Sequence, residues 1–231
     1  MTDLWKDDAD LFALARRELF TAVVGDIMDK LGLQHQFLPA AIHPLERNMV
    51  TIGRAMTVLE ADFFQETGDV GRNPLSGRPF GLMLDALDDL QPNEVYICTG
   101  GSPRYALWGE LMSTRAIRCA AAGAVLDGYS RDTRGILKLG FPTFSHGSYA
   151  QDQGPRGKVV DYRVPIEMSG TRVAPGDIVF GDLDGVCIIP RAAEHDVFLG
   201  AFEKARGEKT VRKALEQGMP ARQAFEKFGI L

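Results

Sequence analysis

The chain has 231 residues, of which 31 are acidic and 26 basic, for a net charge of −5. That balance, with no Lys/Arg block interleaved with aromatics, argues against a nucleic-acid-binding surface. A hydrophobic share of 45% is enough for a substantial core, expected as one domain spanning residues 1–231. No run of about 18 apolar residues occurs, and MTDLWKDDADLFALARREL carries acids where a signal peptide would be basic and apolar, so a cytoplasmic protein is expected. Cys98, Cys119 and Cys187 are odd in number and widely spaced, which predicts buried, reduced thiols rather than a disulfide framework or zinc site.

Residues 8–32 read as a pair of amphipathic helices stopped at Gly32, and Met49 to Leu59 as a strand trailed by Asp62. Gly, Pro and Asn mark a loop from Gly68 to Gly81, followed by a helix over Pro79 to Leu90. The strand Val95 to Cys98 ends in Gly100-Gly101-Ser102. A helix is predicted from about Leu107 to Ala122 with Gly123 as its cap, then the strand Ala124 to Asp127 ending in Gly128-Tyr129-Ser130-Arg131-Asp132. Such a strand–helix–strand unit forms a right-handed parallel crossover, which brings both strand ends to one edge of the sheet. Beyond a short helix after Thr133 come strands at 142–145, 159–164 and 171–173. PGDIVFGDLDGVCIIPR reads as two strands around an acidic turn, and residues 191–217 as a closing helix.

The strand ends carry the chemistry. Glycines there let backbone N–H groups approach a ligand, and the start of the following helix offers unpaired donors and partial positive charge to a carboxylate. Arg131 supplies a planar fork for a carboxylate or 2-oxo acid, and Asp132 a hard oxygen ligand for Mg²⁺ or Mn²⁺. Asp182 and Asp184 are expected to shape a hairpin turn, and Asp26 and Asp29 to support a helix. The four histidines show no HxxxH or HxH pattern, so a histidine-based metal site is not expected; His146, after a strand end, is kept as a marginal pocket residue.

The stretch GGSPRYALWGELMSTRAIRCAAAGAVLDGYSRDTRGI resembles the family of 4-hydroxy-4-methyl-2-oxoglutarate / 4-carboxy-4-hydroxy-2-oxoadipate aldolases and RraA-like proteins. The family hallmark is an acid, twenty intervening residues and Arg-Asp, matched by Glu110 and Arg131-Asp132 around residues 111–130. Similarity extends to FTAVVGDIMDKLG, to GRAMTV with Asp62, and to PGDIVFGDLDGVCIIPR.

The resemblance implies an α/β, three-layer β/β/α swivelling-domain fold, assembled as a homotrimer or a hexamer of two trimers. The C-terminal helix from about 191 would pack on the core or on a neighbouring subunit. It implies a divalent-metal-dependent pyruvate aldolase that cleaves 4-hydroxy-2-oxo acids and decarboxylates oxaloacetate through a metal-stabilised pyruvate enolate. Asp132 would ligate Mg²⁺ or Mn²⁺, Arg131 would hold the pyruvate portion, and the backbone at Gly109, Leu111 and Met112 would take its carboxylate. Glu110, standing where the aldolases usually have Asp, would orient a water, with Glu208 from a neighbouring subunit as a second acid. The competing reading is an RraA-like regulator that binds an RNA-degrading enzyme without catalysis. A methyltransferase would need a glycine-rich strand–helix junction near the N-terminus, and the first strand ends instead in EADFFQ.

Overall fold

The computed structural model describes residues 4–63 and 74–230. In chain order the elements are α1 (Asp8–Glu18), α2 (Thr21–Lys30), β1 (His43–Pro44), β2 (Thr51–Asp62), α3 (Met83–Asp88), β3 (Glu94–Thr99), β4 (Ala106–Trp108) and α4 (Glu110–Arg118). There follow β5 (Gly123–Leu126), β6 (Tyr129–Ser130), α5 (Thr133–Leu139), β7 (Thr143–Ser145), β8 (Gly157–Tyr162), β9 (Ile166–Met168), β10 (Thr171–Val173), β11 (Ile178–Asp182), β12 (Gly185–Ile189), α6 (Glu194–Glu216) and α7 (Ala221–Phe228). They group into two compact units, a helical one of residues 1–34 and 192–231 and an α/β one of residues 35–191. Among the described residues no helix is long and apolar enough to cross a membrane.

In the helical unit the Asp7 carboxylate accepts the Asp10 N–H at 2.9 Å, capping α1. Leu11, Phe12 and Ala15 are buried from α1, Val23, Val24, Ile27 and Met28 from α2, and Val197, Phe198, Ala201 and Phe202 from α6. Gly200 leaves room for Ile27, whose Cγ2 lies 3.0 Å from where a Cβ would stand.

The α/β unit is built on an eight-stranded sheet in the order β1-β7-β5-β3-β2-β11-β12, with β8 paired to β2. Side chains alternate across it because successive residues of a strand point to opposite faces. Met56, Tyr96, Cys98, Ala124 and Leu126 meet Met83, Ala86 and Leu87 of α3, Ala116 of α4 and Ile136 of α5. Ala55, Val95, Ile97 and Val125 meet Ile166, Met168 and Val173 of the β9–β10 hairpin on the other face. The outcome is the three-layer β/β/α arrangement expected from the resemblance.

β3 and β5 pair in parallel, Val95 opposite Gly123 and Cys98 opposite Leu126, so the crossover forms as expected. Two boundaries differ from expectation. Ala106–Trp108 is a strand rather than the start of a helix, because this buried apolar segment pairs with β6. Gly123 opens β5 instead of capping α4: the helix ends at Arg118, Ala120 takes the left-handed turn at φ 56°, and a Cβ on Gly123 would stand 2.5 Å from Thr51 Oγ1. Asp182 and Asp184 shape the β11–β12 turn as expected, Asp184 N–H donating to Asp182 Oδ1 at 3.0 Å. The cysteines are free thiols, Cys98 and Cys187 buried and Cys119 half-buried.

Candidate active site

The pairing of β4 with β6 sets Arg131 beside the start of α4. Arg131 N–H donates to Trp108 O at 2.8 Å. The buried Trp108 indole N–H donates to Ser113 Oγ at 2.7 Å, and Ser113 Oγ in turn donates to Gly109 O at 3.1 Å, which fixes the turn entering the helix. No side chain caps α4. Gly109 is its N-cap, and the N–H groups of Glu110, Leu111 and Met112 form the first turn, where donors have no intrahelical acceptor. A Cβ on Gly109 would lie 3.0 Å from Asp132 Oδ2, so the missing side chain brings this helix end against the Asp132 carboxylate.

Asp132 itself is left-handed (φ 54°, ψ 31°) and caps α5, its carbonyl accepting from Gly135 and Ile136. Asp tolerates this region better than most residues, yet a non-glycine there stores strain of the kind that gathers at functional sites. Its side chain is 49% exposed, and Arg131 Nε approaches Oδ2 at 3.8 Å. Glu110 stands across from it: a Cβ on Gly135 would fall 2.2 Å from Glu110 Cδ, so α5 accepts the longer acid only because Gly135 has no side chain. The structure thus brings together Gly109, Glu110, Leu111, Met112, Arg131 and Asp132.

Two depressions meet at Asp132. One, a cavity of about 340 Å³, has an apolar wall that includes Phe80, Met83, Leu84 and Leu87, and a polar end of Arg131, Asp132, Asp152 and Gln153. The other, of about 480 Å³, is lined by Glu110, Asp132, Thr133, Arg134, Gly135 and Lys138. Asp152 escaped the sequence reading as an individual residue. Its Oδ1 lies 3.2 Å from Arg131 Nη1 as an ion pair, and no motif or periodicity in the sequence pointed to it.

A second acidic group lies at the end of β2. Asp62 accepts from the Ser102 N–H at 2.8 Å, Arg104 Nη2 at 2.9 Å and the Tyr105 hydroxyl at 2.9 Å. Burial alone would raise this carboxyl, but those hydrogen bonds outweigh it and hold the pKa down at about 2. Glu60 is 2% exposed. Its Oε2 accepts from Gln153 Nε2 at 3.1 Å, and its Oε1 is buried without a partner. Burial, then the nearby Asp62 charge, raise its pKa to about 8 against the opposing Gln153 bond. Of the donors expected to meet a ligand at Gly100-Gly101-Ser102, the last is engaged within the protein. Ser102 N–H is taken by Asp62, and Gly100 (φ 102°) is small because a Cβ would stand 2.1 Å from Glu60 O.

His146 lies with its Nε2 3.3 Å from Asp127 Oδ1 and edge-on to Tyr129, away from the residues that line the apolar cavity. Glu208 belongs to α6 of the helical unit, where Lys204 Nζ lies 3.6 Å from its Oε1 and 2.9 Å from Asp26 Oδ2. Residues 64–73, which include the start of the loop expected from Gly68 to Gly81, fall outside the described residues.

Among the described residues no three His, Cys, Asp or Glu side chains gather into a metal-ligand set. A hard cation that keeps several waters needs only one or two protein carboxylates, with substrate oxygens completing its shell. Asp132, half-exposed and flanked by the open Cα of Gly109, suits that requirement.

A family model described as RraA-like, Aldolase/RraA, matches residues 21–188. A protein of Halalkalibacterium halodurans, named "Putative 4-hydroxy-4-methyl-2-oxoglutarate aldolase", is 29% identical over 210 residues, 90% of each chain. A crystal structure described under "novel cellulases from microbes associated with the gut ecosystem" superposes with a TM-score of 0.78 at 29% identity, over 89% of this chain and 88% of the other. Streptomyces coelicolor RraAS2, described as an unusual member of the RNase ES inhibitor RraA protein family, shares the fold with a TM-score of 0.75 at 23% identity, over 90% and 98% of the two chains.

Proposed function

The chain belongs to the RraA-like Aldolase/RraA family, and on that premise we propose that it is a divalent-metal-dependent pyruvate aldolase that also decarboxylates oxaloacetate. The observation that carries this reading is the convergence of Glu110, Arg131 and Asp132 on the uncapped start of α4, with Gly109 and Gly135 kept bare beside two of their carboxylates. A cavity of about 340 Å³ suits a small acid rather than a polysaccharide strand.

The first-turn N–H groups at Leu111 and Met112 receive the substrate carboxylate, as helix starts do for anions. Arg131 donates to the 2-oxo oxygen and neutralises the negative charge that grows there as the C3–C4 bond breaks. Asp132 would hold Mg²⁺ or Mn²⁺, which when bound would supply Lewis acidity to the developing enolate. Glu110 orients a water that takes the C4 hydroxyl proton and returns a proton to C3, so one 4-hydroxy-2-oxo acid gives pyruvate and one carbonyl compound. With oxaloacetate the fragment lost from C3 is CO₂. Glu208 is assigned as a second acid reaching in from a neighbouring copy of a trimer or hexamer; full activity at dilutions where the protein is monomeric would remove it from the site.

The test is pyruvate release from oxaloacetate and from 4-hydroxy-4-methyl-2-oxoglutarate, with Mg²⁺, with Mn²⁺ and with EDTA, for the wild type and Asp132→Ala. Metal-dependent release that disappears in the variant is expected. No release from either compound would move the assignment to a different 2-oxo acid or to a non-catalytic, RraA-like binding role.

A further inference from the structure

The two depressions that meet at Asp132 differ in chemistry, and the difference bears on which substrates enter. Arg131, which must face the 2-oxo acid end, lines the apolar cavity and not the charged one. A substrate held by Arg131 therefore extends its remaining atoms along Phe80, Met83, Leu84, Leu87, Leu111 and Met112. Among the described residues Arg131 is the one cation lining this cavity, and Asp152 already sits 3.2 Å from it. A second carboxylate at the far end of the substrate would leave water and find no cation among the described residues of the wall, whereas an alkyl or aryl group would gain by leaving water. The charged depression, with Glu110, is left to the water that exchanges protons with the substrate.

We infer that this site takes 2-oxo acids whose distal group is uncharged and apolar, a branched alkyl or aryl substituent, in preference to those ending in a second carboxylate. The inference rests on the pyruvate-aldolase reading for its placement of the 2-oxo acid end. On cleavage, such a 4-hydroxy-2-oxo acid gives pyruvate and an apolar aldehyde or ketone. The reaction that supplies the substrate is then addition of water across the C3=C4 double bond of an apolar-tailed 2-oxo-3-enoic acid, or aldol addition of pyruvate to the apolar carbonyl compound.

The experiment separates the inference from the reading beneath it. Calorimetric titration of the Mg²⁺-loaded protein compares 5-methyl-2-oxohexanoate with 2-oxoglutarate, two acids that differ by an isopropyl group in place of a carboxylate. The expected Kd is at least tenfold lower for the isopropyl compound. Leu84→Arg, at a position 57% exposed on α3 where folding does not depend on the side chain, is expected to bring the ratio to one or below. In parallel, exchange of the pyruvate methyl protons in D₂O, followed by NMR, probes enolate formation on a substrate with no distal group. Exchange intact with 2-oxoglutarate bound as tightly or more tightly overturns the inference alone, as does a ratio unmoved by Leu84→Arg. Loss of exchange together with no binding of either acid overturns the aldolase reading and the inference with it.

Discussion

The acids at the end of β2 and those around the start of α4 are the same chemical groups held in opposite ways. Asp62 is engaged by Ser102, Arg104 and Tyr105, and Glu60 is buried against Gln153. Asp132, by contrast, is half-exposed, its carboxylate met by Arg131 Nε at 3.8 Å without a hydrogen bond among the described residues, and a missing Cβ on Gly109 holds space open beside it. A carboxylate tied by several protein donors, as Asp62 is, holds a loop; one left open to solvent at a strained backbone position, as Asp132 is, remains available to hold something else.

Four substitutions break or sharpen this contrast. The largest effect is expected for Asp132→Ala, which should cut metal-dependent pyruvate release by ~10³ or more while lowering the melting midpoint by only about 2–4 °C, the cost of placing Ala in a left-handed backbone at an otherwise exposed position. A loss of folding rather than of turnover, seen by circular dichroism, would place Asp132 with the structural acids.

Glu60→Gln comes next, and its signature is pH dependence. The folded-state pKa of about 8 lies above the ordinary 4.5, so the folded protein binds this proton more tightly than the unfolded chain. Stability is therefore lost as pH rises from about 4.5 to about 8, by an amount on the order of a few kcal/mol. Urea titrations across that window should show a slope in the wild type that Glu60→Gln flattens. Asp62 runs the other way. Its pKa of about 2 is below the ordinary 3.8, so its contribution is present above pH 3.8 and lost as pH falls towards 2. Asp62→Ala should cost about 1–2 kcal/mol at neutral pH through its bonds to Ser102 and Tyr105, measurable as a lower urea midpoint, and the deficit should shrink in acid.

The smallest change tested is one methyl group. Gly135→Ala puts a Cβ where Glu110 Cδ now lies, so Glu110 must swing away, with an expected fall in kcat of about tenfold, KM little changed and the fold retained. A variant as active as the wild type would show that the carboxylate position of Glu110 is immaterial.

The fold was largely legible in the sequence because its strands alternate and its turns are punctuated. GDLDGV announced the β11–β12 hairpin, and the strand–helix–strand run from Val95 to Asp127 announced the parallel crossover. Ala106–Trp108 misled because three apolar residues before a helix carry no period of their own; what made them a strand was β6, more than twenty residues away. Gly123 misled for a related reason. A glycine after a helix reads as a cap, yet this one is required by Thr51, on a strand distant in sequence.

The sequence alone determined the chemical inventory: an acid, a guanidinium and a second acid at strand ends, spaced so that one crossover brings them to one edge. That much follows from local periodicity and the handedness of the connection. Only the tertiary structure decided that Asp152 joins Arg131, that Ser102 serves Asp62 instead of a ligand, and that one side of Asp132 is apolar and the other charged. Those outcomes depend on side chains from α3, α4 and the segment between β7 and β8 meeting in space, and contacts between distant segments leave no periodic trace along the chain.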